Sequence, residues 1–256
     1  GTSSVQIWND ARELAGQLEK LDNPVLLNLA GHFISSHSPE NISALVSGNL
    51  QFPIEIFEAL SLSGHSRIVN IGTSWEYSDD GKKEPANLYA SLKASNAEHL
   101  KWYAQNFPLR AINLKLNDTF GGSDNRKKLL PYLKQSWRDG EPAELRSSSQ
   151  LINLLHINDV MGGILHAAEQ TLSLDSHEEL TAFLLGNYTV SIGEVIDTIN
   201  QKIIPDLNVR FVENPQSKSV QRGVWESAPR LTGWTPQLTL QHGLKIYFMD
   251  ENENCI

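Results

Sequence analysis

Tyr89 and Lys93 stand four positions apart in the stretch "NLYASLK", residues 87–93. If that stretch is helical, four residues make about one turn, and the phenol and the ammonium project from the same face. A cation beside a phenol favours the phenolate and lowers its pKa. A tyrosine that ordinarily titrates near ~10 then becomes usable as a proton donor and acceptor closer to neutrality. The same spacing also arises by chance on an exposed helix, so the surrounding elements have to decide between the two readings.

Composition removes several classes of function. The chain has 256 residues, is 40% hydrophobic and carries a formal net charge of −9. That length suits one large α/β domain or a domain with a smaller lobe. The longest basic run is Arg126-Lys127-Lys128, so a nucleic-acid-binding surface is not expected. No apolar stretch approaches the ~20 residues that cross a bilayer. The opening "GTSSVQIWND" has neither a basic end nor a hydrophobic segment. The only cysteine is Cys255, which leaves no disulfide framework and no thiolate site, and a cytoplasmic protein is expected. None of the eight histidines falls in a helical pair or an HExxH spacing, so no metal is expected.

The elements that must position the pair follow from periodicity. "NDARELAGQLEKL" has a capping Asn9 or Asp10 ahead of Leu14, Leu18 and Leu21, which predicts an amphipathic helix. "PVLLNLAG" is a nearly continuous apolar run, suited to a strand covered on both faces. A helical stretch follows around "NISALVSGNLQFPIEIFEALSLSG", then a second strand, "RIVNIG". "NLYASLKASNAEHLKWYAQNF" is the third helix and "LRAINLKL" the third strand. Such alternation predicts a doubly wound parallel sheet. In the second half, "RKKLLPYLKQSWRDGEPAEL" reads as a helix with a turn, and "LINLLHINDVMGGILHAAEQ" as a strand leading into a helix. "VSIGEVIDTINQKI" is a helix capped by Ser191, and a last helix begins near Thr239. These shorter elements suggest a smaller lobe at one end of the sheet, where ligands bind in such folds.

With those elements in place the chain resembles the extended short-chain dehydrogenases/reductases, in particular the NAD-dependent epimerase/dehydratase family that acts on nucleotide-diphosphate sugars. "LNLAGHF" resembles the family's fourth strand, which would put Leu29, Ala30 and Gly31 beside the cofactor. Asn49 stands where the family has a helix asparagine, and "IGTSWEY" places Thr73 at the catalytic serine/threonine. "YASLK" is similar to the Tyr-x-x-x-Lys motif, "LLHINDV" to His-Val-Asp-Asp-Val and "LTGWTP" to Leu-Gly-Trp-x-Pro. The resemblance implies a Rossmann-like fold with a cofactor domain over residues 1–120 and about 151–172. The substrate lobe would cover 121–150 and 173–256. It also implies NADP or NAD as cofactor, a nucleotide-diphosphate sugar as substrate, and a homodimer.

The implied chemistry agrees with the residue types. When a ketone is reduced its oxygen becomes an alkoxide and must receive a proton, so an acid has to stand within reach. Tyr89 would be that acid. Lys93 would hold its pKa down and bind the nicotinamide ribose, and Thr73 would donate to the developing oxyanion. Thr73 could instead satisfy a backbone group, with Ser74 as the neighbouring hydroxyl able to take its part. Asn117, Arg126 and Arg222 complete the substrate candidates, the two arginines for a diphosphate. His156, inside an apolar strand, reads as a hydrogen-bonded core residue.

Dehydratases of the family carry Asp-Glu after the catalytic threonine, where this chain has Ser74 and Trp75. Reduction of a 4-keto sugar or epimerisation remains. "NDTFGGSDNRKKLLPYL" with "QLINLLHINDV" resembles the CDP-abequose synthase-like group, which reduces CDP-4-keto-6-deoxy sugars for lipopolysaccharide side chains. An epimerase and a catalytically silent sugar-nucleotide-binding relative are the alternatives. The family's Gly-x-x-Gly-x-x-Gly fingerprint does not occur in this sequence. By the resemblance about 50 to 60 residues that make two βα units would precede it, and "PVLLNLAG" is expected to form an apolar sheet edge.

Overall fold

A computed structural model describes residues 7–122, 128–212 and 223–249. Along the chain run α1 (Ala11–Leu18), β1 (Leu26–Asn28), α2 (Ile42–Val46), α3 (Phe52–Ser63), β2 (Arg67–Thr73), α4 (Leu88–Asn106) and β3 (Arg110–Leu116). There follow β4 (Asp118–Phe120), α5 (Leu129–Asp139), β5 (Ala143–Leu145), β6 (Leu151–Ile152), β7 (Leu154–His156) and α6 (Ile157–Gln170). The last are β8 (Glu178–Leu184), β9 (Val190–Ser191), α7 (Ile192–Lys202), β10 (Val209–Phe211) and α8 (Leu240–Met249). Two compact units emerge: Gly1–Glu76 with Lys83–Lys115 and Ile164–Ala182, and Tyr77–Lys82 with Leu116–Gly163 and Phe183–Ile256.

The first unit is built on a four-stranded sheet in the order β1-β2-β3-β8, with β1 parallel to β2. Strand β2 is buried along nearly its whole length, as expected of a strand covered on both faces. Strand β1 departs from that expectation. It is three residues long and lies at the sheet edge, with Leu27 37% and Leu29 59% exposed. The expectation of an apolar edge holds.

Asp10 caps α1 by accepting from the backbone N–H groups of Arg12 and Glu13, both at 2.9 Å. Two orphan donors of the first turn are thereby satisfied, and Glu13 accepts from the Asn9 N–H just ahead of the cap. The helix ends at Leu18, so Leu21 lies beyond it and is half exposed. Leu14 and Leu18 pack with Ile56, Phe57 and Leu60 of α3, Ile68 of β2, and Leu100 and Tyr103 of α4. Asn87 caps α4 through the Ala90 N–H, and its amide also donates to the Ser35 carbonyl. The helix stops before Phe107, which is extended because Pro108 follows it.

One feature interrupts the expected second helix. Between α2 and α3, Ser47–Gln51 form a π-helical turn. Pro53 supplies the cause. It has no N–H to give, and its ring would strike the carbonyl four residues back, that of Asn49, in a regular helix. The wider turn relieves the clash, and the Asn49 carbonyl accepts instead from the Asn96 side chain at 3.3 Å.

The second unit has short two-stranded pairings: β4 with β7 and β5 with β10 in parallel, and β6 with β9 antiparallel. Its core gathers Leu130 and Leu133 of α5, Val195, Ile196 and Ile199 of α7, and Leu244, Tyr247 and Phe248 of α8. Ser191 and Glu194 form a capping box at the start of α7, as Ser191 was expected to do. Gly140 ends α5 in the left-handed region, φ 71°, which glycine adopts without steric cost. Asp159, buried near the start of α6, accepts from the N–H groups of Gln237 and Leu238 at 2.9 and 3.1 Å. That contact ties "LLHINDV" to the segment after "LTGWTP". His156 is buried, edge-on to Phe120 and accepting from the Asn158 N–H, as a core histidine should be.

Candidate active site

The α4 helix presents Tyr89 and Lys93 one turn apart, and it buries the lysine to 3% exposure. A buried ammonium needs acceptors. Lys93 finds two: its Nζ donates to the carbonyl of Ala30, just beyond β1, at 2.9 Å and to that of Ile71 in β2 at 3.0 Å. Lys93 thus ties together the ends of two neighbouring strands. Desolvation brings its pKa down to about 8, helped by Lys115 and opposed by Glu76. At pH 7 the group is still mostly charged.

Gly31 allows this approach. A β-carbon there would lie 3.0 Å from Lys93 Nζ and 3.4 Å from the Asn49 side-chain oxygen. Asn49 is fully buried in the π-turn; it accepts from the His32 N–H at 3.1 Å and donates to the His32 carbonyl at 2.8 Å. Ala30, Gly31, Asn49 and Lys93 are therefore neighbours. Leu29, the other cofactor candidate, is mostly exposed at the edge.

Tyr89 packs edge-to-face on Phe33, ring centroids 5.1 Å apart, and Phe33 also meets Trp75 at 5.8 Å. The Trp75 and Tyr89 rings thus meet on one phenylalanine. Thr73 ends β2 at 9% exposure, and its Oγ1 accepts from the Trp75 N–H at 3.3 Å. Its own N–H donates to Glu76 Oε1 at 2.9 Å. Of the substrate candidates, Asn117 donates to the Leu184 carbonyl at 3.3 Å within the second unit. Arg126 and Arg222 lie outside the described residues.

Three features escaped the sequence reading. Phe33 is one, and the buried ion pair of Glu76 with Lys115 is another. The third is a set of buried asparagines: Asn28 donates to Asn70 at 2.7 Å, and Asn70 donates to Asn113 at 3.2 Å and to Asn96 at 3.3 Å. A polar residue inside each of three apolar strands was the available signal. Among the described residues no group of three or more metal-ligating side chains occurs, and no helix is long and apolar enough to cross a membrane.

The fold around this buried lysine defines a Rossmann-like protein of the extended short-chain dehydrogenase/reductase type. The chain belongs to the NAD dependent epimerase/dehydratase family, whose profile matches residues 7–182. It is similar to CDP-abequose synthase of Yersinia pseudotuberculosis, with 27% identity over 190 residues. That match covers 73% of this chain and 65% of the relative, so the chain spans just under two-thirds of that relative's length. Its fold is similar to UDP-glucuronic acid 4-epimerase from Bacillus cereus, solved in complex with UDP-glucuronic acid and NAD. There the TM-score is 0.76 and the identity 18%, covering 92% of this chain and 77% of that one. UDP-N-acetylglucosamine 4-epimerase from Methanobrevibacter ruminantium M1 gives a TM-score of 0.77 at 14% identity, covering 94% and 81%.

The residues present fit one end of a nicotinamide dinucleotide. Lys93 and Tyr89 are hydrogen-bonding groups suited to a ribose, and Gly31, carrying no β-carbon, lets the Lys93 ammonium come close to the backbone there. The glycine-rich pyrophosphate loop is not among this chain's motifs.

Proposed function

We propose that this protein reduces the 4-keto group of a nucleotide-diphosphate 6-deoxy sugar, with Thr73, Tyr89 and Lys93 as its catalytic residues and NADP or NAD as cofactor. The observation that carries the reading is the Lys93 ammonium, buried one helical turn from Tyr89 and held by the Ala30 and Ile71 carbonyls. The similarity to CDP-abequose synthase supports a keto-sugar reductase. When bound, the nicotinamide supplies the hydride. Tyr89 gives its phenolic proton to the sugar oxygen as negative charge develops there, and Thr73 donates a hydrogen bond to the same oxygen. The phenolate left on Tyr89 is stabilised by the Lys93 cation, and solvent returns the proton.

In this reading residues 1–120 and about 151–172 form the cofactor domain and 121–150 and 173–256 the substrate lobe, and Thr73, Ser74, Asn117, Arg126 and Arg222 are the substrate-binding residues. The protein works in the cytoplasm as a homodimer, supplying a deoxysugar for lipopolysaccharide. A second reading, 4-epimerisation, is favoured by the fold's likeness to two 4-epimerases and uses the same three residues.

The test is a panel of nucleotide sugars with NADPH or NADH followed by absorbance. Net consumption of the reduced cofactor with a 4-keto sugar supports the reductase, and interconversion of sugars without consumption supports the epimerase. Tyr89→Phe is expected to lower turnover by about 100-fold or more while binding persists. No turnover and no thermal stabilisation by either dinucleotide would leave a silent sugar-nucleotide-binding protein.

A further inference from the structure

The Glu76–Lys115 pair takes no part in the proton transfers just described, yet it lies directly beside the groups that do. Glu76 Oε2 and Lys115 Nζ are 2.5 Å apart, and both side chains are fully buried. The other carboxylate oxygen, Oε1, holds the Thr73 N–H at 2.9 Å. The pair passes against Gly72, where a β-carbon would fall 2.6 Å from Lys115 Cδ and 2.7 Å from both Lys115 Nζ and Glu76 Oε1. Lys93 holds the next carbonyl back, that of Ile71. Three consecutive residues of β2, Ile71, Gly72 and Thr73, are therefore fixed by Lys93, the ion pair and Glu76 in turn.

We propose that Glu76 and Lys115 are positioning residues: Glu76 fixes the Thr73 backbone, and Lys115 cancels the charge that Glu76 would otherwise impose on Lys93. The proposal rests on the site assigned above. Its physical core is placement: the pair lies against Gly72, one residue on from the Ile71 carbonyl that holds Lys93, and from there Glu76 favours the charged form of Lys93 while Lys115 opposes it. In a buried setting such fields are weakly screened. The other charges facing the pair are Glu179 on β8 and Lys83 ahead of α4, which both act on Lys115, and Glu98 on α4, which feels Lys115 in return. Tyr89 is the titratable neighbour of Lys93 on its own helix. Packing alone does not call for ions here, because a buried ion pair stabilises no better than apolar side chains of the same volume.

The test needs neither cofactor nor substrate. Protein labelled with 13C at the lysine ε-carbon is titrated by NMR, the Lys93 signal being assigned by its loss in Lys93→Met. In Glu76→Gln the amide still accepts from Thr73, but Lys115 is left uncancelled, and Lys93 should titrate lower by about one pH unit. In Lys115→Met it should titrate higher by a similar amount. The double variant Glu76→Gln/Lys115→Met should return it to the wild-type value, and it keeps the test open if a single variant fails to fold. Lys93 titrating alike in every variant, or moving the same way in both singles, would overturn the proposal. Opposed shifts in a protein that turns over no nucleotide sugar would retain the pair's role and retire the reductase.

Discussion

Gly31 and Lys93 share a space too small for one more methyl group: a β-carbon on Gly31 would sit 3.0 Å from the Lys93 ammonium and 3.3 Å from its ε-carbon. Gly31→Ala should therefore push the lysine off its carbonyl partners. Because the lysine end is flexible, the stability cost should be small, about 1 kcal/mol by denaturant unfolding. Turnover should fall far more, about 10-fold or beyond, if the ammonium's station matters to Tyr89. Unchanged kinetics in Gly31→Ala would separate Lys93's position from its proposed role.

Lys93 also sets a pH dependence of stability. Its folded pKa is lowered from 10.5 to about 8, chiefly by burial. Below pH 8 both folded and unfolded chains carry the proton, and the burial cost is present in full. Above pH 8 the folded protein releases the proton while the unfolded chain keeps it up to about 10.4, so unfolding becomes harder as pH rises. The whole effect amounts to about 3 kcal/mol. Denaturant midpoints of wild type and Lys93→Met should diverge between pH 8 and 10, with the wild type gaining at up to about 1.4 kcal/mol per pH unit. Tyr103, pushed up to about 12 first by burial and then by its bond to Glu58, acts above pH 10 with the opposite sign. It is common to both proteins and cancels in the difference.

Asn70 is the hub of the buried asparagine set, and replacing it with leucine should be costly although the volumes are similar. Its loss removes the Asn70 partner of the Asn28 amide N–H and of the Asn96 and Asn113 side-chain oxygens, although Asn96 keeps the Asn49 carbonyl and Asn28 the Ala30 N–H. One unsatisfied buried group costs about 1–3 kcal/mol, so Asn70→Leu should cost about 3 kcal/mol or more. Asn70→Asp, which accepts but cannot donate when ionised, should be no better. A midpoint near wild type for Asn70→Leu would mean that the asparagines are individually solvated.

In the second unit Asp159 holds two backbone N–H groups with a carboxylate. Asp159→Ala should lose about 2 kcal/mol, the scale of hydrogen bonds to a charged group. Asp159→Asn should recover part of that loss, because its amide oxygen can still accept. Hydrogen exchange at Gln237 and Leu238 would report the same contact locally.

Much of this architecture was legible in the sequence because it rests on local patterns. The Asp10 cap, the Ser191 cap and the strand "RIVNIG" follow from residue type and spacing. The neighbourhood of Lys93, Gly31 and Asn49 followed from motif resemblance, since no local rule brings together residues up to 62 positions apart. What stayed hidden depends on long-range packing. Lys115 in "LRAINLKL" gave no sign that its partner would be Glu76, 39 residues away. The proline at 53 was visible, but its effect on the turn before it depends on where the helix has to run afterwards. The shortness of β1 and its exposed leucines reflect what lies beside it in space, which composition does not record.

The wide turn before Pro53 has an angular consequence. Leu45, Asn49, Pro53, Phe57 and Leu60 are all buried, at spacings of four, four, four and three. An ideal helix advances about 100° per residue, so over such a series its inward stripe would creep sideways by roughly one-sixth of a turn. The extra residue taken up between Ser47 and Gln51 absorbs that creep. Without it, either Leu45 ahead of the turn or Phe57 behind it would rotate towards water, and Asn49 would lose its inward aim.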